Sequence, residues 1–212
     1  MSAAAWFLMA AFGMALVDWW AVGTSRRAVE YVAKPATMLP LIAAAVVLDP
    51  VHPTMRWWFV AALALSLVGD VFLMLPREEL FVFGLGAFLL AHVAYIVGFV
   101  AGGVSALVMA LTLVPLGLFV GAVAPIVVTN ARRHDPRLGL PVAVYVAVIS
   151  AMVVASFGSG SAAGIVGAVL FYLSDLTIGW SRFVRDFPSA RLVIIVTYHA
   201  AQILLVVSLL AG

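Results

Sequence analysis

Three aspartates and two histidines lie inside long apolar stretches of this 212-residue chain: Asp18, Asp70, His92, Asp175 and His199. Polar neighbours accompany them, namely Tyr95, Tyr172, Ser174, Tyr198 and Gln202, and Lys34 stands beside Pro35 at the start of another apolar stretch. Ionisable groups in such surroundings are costly, so each one needs an explanation. Two carboxyl groups in an apolar pocket suit acid–base work, because one can stay protonated while its partner stays ionised. That division serves reactions through an oxocarbenium-like state, where one group donates a proton and the other stabilises charge or activates water. Asp70 and Asp175 are the expected acid–base pair, with His92, Tyr198 and His199 as hydrogen-bonding or proton-transferring catalytic partners. Lys34, Tyr95, Tyr172, Ser174, Gln202 and Asp18 are expected to bind substrate. The plainer reading is that each Asp bonds to Tyr, His or Lys and only fixes helix packing. Asp18, near a helix end, would then pair with Lys34.

The elements that must position these groups follow from composition. The chain is 66% hydrophobic and 9% charged, with a mean hydropathy of +1.23. Soluble domains carry about 45–50% apolar and about 25% charged residues, so a soluble, disordered or coiled-coil chain is excluded. Breaks rich in charge, Gly or Pro divide the sequence into apolar runs near 3–23, 29–48, 56–75, 79–100, 104–128, 138–157, 161–181 and 190–210. Each is long enough to cross a hydrocarbon core of ~30 Å, and the backbone must satisfy its own hydrogen bonds there. The expected fold is therefore all-α, a polytopic membrane bundle of eight transmembrane helices forming one domain over residues 1–212. The first run lacks a positive n-region and is too long for a signal h-region, so it reads as a retained helix. The fifth, with Pro115, Gly117, Gly121 and Pro125, is expected to be kinked or tilted.

Ten of the eleven Lys and Arg residues fall in the odd-numbered loops and only Arg56 on the even side. The positive-inside rule puts the odd loops in the cytoplasm and both termini on the non-cytoplasmic side. The protein is expected in the cell inner (plasma) membrane. With that orientation and a rise of ~1.5 Å per residue, Asp18, Lys34, Asp70, His92, Asp175 and His199 fall between the inner interface and the bilayer centre. Helical spacing aligns His92 with Tyr95, Tyr198 and His199 with Gln202, Tyr172 with Asp175, and Ser66 with Asp70. A single polar cavity opening toward the cytoplasm is expected. The basic rim, Arg26, Arg27, Lys34, Arg182 and Arg185, would hold a lipid phosphate at its mouth, with Lys34 the best candidate.

Other chemistries fit less well. Without Cys there is no disulfide, thiol nucleophile or zinc–thiolate site. His92, His199, Asp70 and Asp175 offer metal-ligand types, but no HxxxH or HxxE spacing is present and each comes from a different helix. No metal or organic cofactor is expected. Ser174 adjoins Asp175, and successive helix positions point apart, so a Ser-His-Asp triad is weak. His52 and His134 read as loop residues. A proton-coupled transporter of lipids or small molecules would use the same acids, but the outer half looks apolar and closed. A non-catalytic lipid sensor would not need so many buried ionisable groups. The Asp70–His92 and Asp175–His199 gaps, 22 and 24 residues, leave a weak internal repeat open.

Several segments together resemble the YhhN-like family of integral membrane proteins, the lysoplasmalogenases. They are Lys34-Pro35-Ala36-Thr37, Leu67-Val68-Gly69-Asp70 with Leu75-Pro76, Phe83 to Phe88 continuing to Ala91-His92 and Tyr95, Phe171 to Asp175, and Tyr198 to Gln202. The resemblance implies an eight-helix membrane hydrolase that cleaves the vinyl ether bond of lysoplasmalogen to a fatty aldehyde and a glycerophospho-alcohol. It carries over Lys34, Asp70, His92, Tyr95, Ser174, Asp175 and Gln202. The substrate partner is then a lysophospholipid from the inner leaflet, and no nucleic acid is involved. A lysolipid hydrolase of different bond specificity is the nearest alternative activity.

Overall fold

A computed structural model describes residues 2–75, 77 and 79–210; Pro76 of the Leu75-Pro76 pair lies outside the described residues. Within them are eight helices long and apolar enough to cross a membrane. They are α1 (Ala3–Gly23), α2 (Arg27–Val47), α3 (Pro53–Met74), α4 (Leu80–Gly102), α5 (Ala106–His134), α6 (Gly139–Ser159), α7 (Ala162–Phe183) and α8 (Ala190–Val207). Single 3-10 turns, Pro136–Leu138 and Ser208–Leu210, precede α6 and follow α8. The protein is a multi-pass, all-helical membrane protein.

Two helix boundaries change the place of residues named above. α2 begins at Arg27, so Lys34 lies about two turns inside it and does not open it. Glu30 in its first turn pairs with Arg191 of α8 at 2.6 Å and fastens the two starts together. α5 runs on through Arg132, Arg133 and His134, because basic residues suit the negative end of a helix. His134 is thus the last residue of α5 rather than a loop residue, and its ring lies 6.0 Å from that of Phe183. Pro115 and Pro125 leave α5 a single uninterrupted helix.

Helices joined by short connections pair as hairpins: α1 with α2, α3 with α4, α5 with α6, α7 with α8. Further contacts join α2 to α3, α4 to α6, α6 to α7 and α8 to α1. Seven helices therefore close a ring in the order α1, α2, α3, α4, α6, α7, α8. α5 stands outside it, packed on α6 and part of α7. Only Val127 and Ala131 of α5 are buried, and they join Leu138 and Val142 in a small cluster at the Arg-rich end of the bundle. Outward faces are apolar, with Leu107, Leu118 and Leu140 fully in view as lipid contact requires.

Small residues set the closest approach. A Cβ on Gly98 would lie 2.6 Å from Phe59, and one on Gly69 2.6 Å from Phe88. Without a hydrophobic drive between helices in lipid, such close backbone packing is a main source of association. It lets Phe59 sit edge-on to Tyr95 and Phe99 at 4.9 and 5.1 Å. Gly98→Leu should lower stability by about 1–3 kcal/mol through overpacking. Gly86→Ala, where an added Cβ meets nothing within 4 Å, should cost nothing. Thermal unfolding of the two variants in detergent checks this; equal melting temperatures would refute it.

Candidate active site

The buried polar groups gather in separate sets, each spanning helices distant in sequence. In the first, Asp70 of α3 is 1% exposed. Its Oδ1 lies 2.9 Å from Lys34 Nζ of α2, and its Oδ2 accepts from Tyr198 Oη of α8 at 2.7 Å. The Lys34 ammonium also stands 5.7 Å over the Tyr198 ring, and the Tyr198 hydroxyl touches Met38 Sδ at 3.5 Å. Lys34 and Met38 are four apart and share the inward face of α2.

In the second set, Asp175 Oδ2 accepts from Tyr145 Oη of α6 at 2.5 Å. His92 Nε2 of α4 lies 3.5 Å from the same oxygen. His92 is fully buried, edge-on to Tyr145 at 5.4 Å and against Phe171 at 4.6 Å. Asp175 Oδ1 takes part in neither contact. Ser174 turns the other way, as neighbouring helix positions must, and donates to the Ile194 carbonyl at 3.1 Å, tying α7 to α8.

The third set joins Asp18 of α1 to His199 of α8. Both are fully buried, with His199 Nε2 3.9 Å from Asp18 Oδ2. His199 thus faces Asp18 of α1, and among the described residues no ion pair joins Asp18 to Lys34. A fourth contact links Tyr95 to Gln202, whose Oε1 accepts from the phenol at 2.5 Å.

Phe171 stands between the partners of the two main carboxyl groups. Its ring lies 5.4 Å from Tyr198, which holds Asp70, and 4.6 Å from His92, beside Asp175. No hydrogen bond joins Asp70 to Asp175 among the described residues. His92, His199, Asp70 and Asp175 fall in three different sets, so they do not converge as metal ligands. Among the described residues no group of three acids and histidines does.

The main cavity is apolar. It is a partly open pocket of about 70 Å³ between α4, α5, α6 and α7 toward the Arg-rich end, with Leu73 of α3 also on its wall. Leu85, Phe88, Val127, Val142 and Ile149 form most of its lining, and the polar groups on its wall are Asp175, Tyr145 and Tyr172. Asp70, Lys34 and Tyr198 are not on it. The single polar cavity expected from depth alone is not what this pocket is: it is apolar with a carboxyl group in its wall, and Phe88, Phe171 and Tyr198 pack together beside it. The structure adds Tyr145, which the sequence reading did not single out. The signal available was one phenol within an otherwise aliphatic stretch of α6.

Breaking a buried ion pair from one side leaves an uncompensated charge, a loss of about 3–5 kcal/mol. Lys34→Met should therefore destabilise strongly, and Lys34→Met with Asp70→Asn should recover much of the loss. Unfolding in detergent measures both; a tolerated Lys34→Met would show that the pair does not hold α2 to α3.

The YhhN family profile matches residues 29–209, which takes in every helix but α1. Human "Lysoplasmalogenase TMEM86B" is 39% identical over 149 residues, covering 70% of this chain and 62% of that protein. The rat protein of the same name is 36% identical over 156 residues, 73% of this chain and 62% of its own length. "Lysoplasmalogenase" of Mycobacterium tuberculosis is 37% identical over 188 residues, 84% of this chain and 69% of that protein. The chain thus spans less than two thirds of the length of the human and rat proteins. No solved structure matches it. With the profile running from the start of α2 to the end of α8, and Lys34, Asp70, His92, Asp175 and Gln202 all inside it, the chain belongs to the YhhN family of membrane proteins.

Proposed function

We propose that this protein is an intramembrane hydrolase of the vinyl ether bond of lysoplasmalogens, releasing a fatty aldehyde and a glycerophospho-alcohol. One observation carries the reading. Asp175, gripped by Tyr145 and His92, forms a polar spot in the wall of an apolar cavity near the basic end. Such a cavity suits an alkenyl chain, and a carboxyl group in its wall suits acid catalysis on a bond at the chain's head. The relatives' names point the same way.

In this reading residues 1–212 form one transmembrane domain in the plasma (inner) membrane, with the basic loops in the cytoplasm and both termini outside. The lysolipid enters from the inner leaflet. Asp175 gives its proton to the vinyl carbon remote from oxygen, and the positive charge spreads over the other vinyl carbon and the ether oxygen. Water adds to that second carbon and its proton passes to the Asp175 carboxylate. The hemiacetal then collapses: its hydroxyl loses a proton, its bond to the glycerol oxygen breaks, and that oxygen takes up a proton. One water is consumed, and one aldehyde and one alcohol are made. Tyr145 and His92 hold Oδ2, which leaves Oδ1 to face the substrate. Asp70, paired with Lys34 and Tyr198, is the second carboxyl group of the pair and fixes α2, α3 and α8 around the site. Tyr172 lines the chain site, while Tyr95, Gln202, Ser174, Asp18 and His199 position the helices around it. No cofactor takes part.

Purified wild type should release aldehyde from a lysoplasmalogen, with or without EDTA. Asp175→Asn should lose about 10²–10⁴ in turnover, the usual contribution of a general acid. Tyr145→Phe should lose roughly tenfold to a hundredfold, as expected for one hydrogen bond to a charged group. Full activity in a folded Asp175→Asn protein would remove the assigned acid. Loss of activity with EDTA would point to a metal, and release of fatty acid from ester lysolipids alone would change the bond cleaved.

Orientation is separately testable. The chain has no Cys, so a single Cys at Ser25 or at Ser105 is a topology reporter without background. An impermeant thiol reagent applied to intact cells should label Ser105→Cys and not Ser25→Cys; the reverse pattern would invert the topology.

A further inference from the structure

A second apolar groove lies beyond the main cavity, on the same side of α5. Val108, Thr112, Pro115 and Phe119 of α5 form one wall, Val153 and Phe157 of α6 another, and Val169 of α7 the third. The main cavity uses Val142, Val146 and Ile149 of α6, and Tyr172, Leu176 and Gly179 of α7. At steps of three or four residues, Val153 and Phe157 continue the first stripe and Val169 continues the second, so the groove prolongs the cavity along one helix face. The two meet at a ring contact, 6.1 Å between Phe119, in the groove, and Tyr172, in the cavity.

We infer that this groove is a binding subsite for the distal part of the substrate's alkenyl chain, and that it sets preference by chain length. The inference rests on the hydrolase reading and extends it. With the reacting bond beside Asp175, the basic end takes the headgroup and the chain must run the other way. From Tyr145 to Phe157 the path rises about 18 Å at 1.5 Å per residue, a length suited to a long chain and not a short one. The wall is almost wholly apolar; Thr112, its polar member, donates its hydroxyl to the Val108 carbonyl within α5. The groove is open along α5, where Val108, Leu111 and Phe119 of its wall are 38%, 65% and 41% exposed, so a chain can enter it sideways from the bilayer, whereas Leu118, 74% exposed, is not on its wall.

The test compares hexadecenyl with octenyl lysoplasmalogen on wild type, Thr112→Trp, Val169→Trp and Leu118→Trp. Each buried methylene is worth roughly a fourfold factor, so filling the groove should cut the ratio of kcat/KM, hexadecenyl over octenyl, by about tenfold or more in the first two variants. Leu118→Trp, on the lipid face, should leave the ratio at its wild-type value. Binding of the matching saturated alkyl ethers, which have no bond to protonate, is read in parallel by native mass spectrometry. A matching fall in the binding ratio supports the subsite whether or not aldehyde is made. Unchanged ratios in both groove variants, with both proteins folded, would overturn it. Chain-dependent binding in a wild type that releases no aldehyde would keep the subsite and overturn the reaction.

Discussion

A carboxylate inside an apolar bundle is costly, and in this fold each one faces a polar group from another helix. Asp70 on α3 is paired with Lys34 of α2 and Tyr198 of α8, and Asp175 on α7 with Tyr145 of α6, while His92 of α4 and His199 of α8 stand 3.5 and 3.9 Å from Asp175 and Asp18 without a hydrogen bond. Together these links touch α1, α2, α3, α4, α6, α7 and α8, the seven helices of the ring. α5 carries no ionisable group before its last turn, and α5 is the helix left outside. In lipid the hydrophobic drive between helices is absent. The cost of an unanswered charge then does what core burial does in water, selecting which helices must be neighbours.

The same constraint separates the two principal acids. A pair of touching carboxylates would have to share a proton. Here Phe171 stands between their partners, and each acid has its own phenol: Tyr198 for Asp70, Tyr145 for Asp175. Their environments differ in kind. Asp70 has a cation at 2.9 Å and does not line the cavity. Among the described residues Asp175 has no ion pair with Lys or Arg, and it borders the cavity. Two acids placed in unlike surroundings can hold unlike protonation states without competing for one proton.

Much of this was legible in the sequence, because the bilayer leaves few choices. Run length and polarity are enough for eight helices, and Asp70, His92, Asp175 and Lys34 stand out since each is costly where it lies. The pairing was less legible. Spacing puts His199 and Gln202 on one stripe of α8, yet that stripe is wide enough for Gln202 to meet α4 and His199 to meet α1. Tyr145 escaped notice because a phenol in an apolar helix carries no mark of its partner. The link from α6 to α7 and α4 around it depends on α5 being passed over, a topological fact that no local pattern encodes. Helical spacing says which polar groups share a face, but not where the aromatic rings Phe88, Phe171 and Tyr198 stand between them.

The exclusion of α5 bears on access. A site enclosed by the ring alone would open only at its ends, where water and headgroups lie. A long hydrocarbon chain gains nothing from that route. By standing outside, with only Val127 and Ala131 fully buried near the basic end and Leu116 and Val120 partly packed on the core, α5 turns one flank of the ring into a trough. Its wall is apolar along the membrane and polar only where Asp175, Tyr145 and Tyr172 meet it. An amphiphile lying in the bilayer can enter such a trough sideways, its chain never leaving an apolar medium, while its head stays near the basic rim. The enclosed interior is then free to hold the Lys34–Asp70 pair away from water and lipid, where neither competes for its hydrogen bonds.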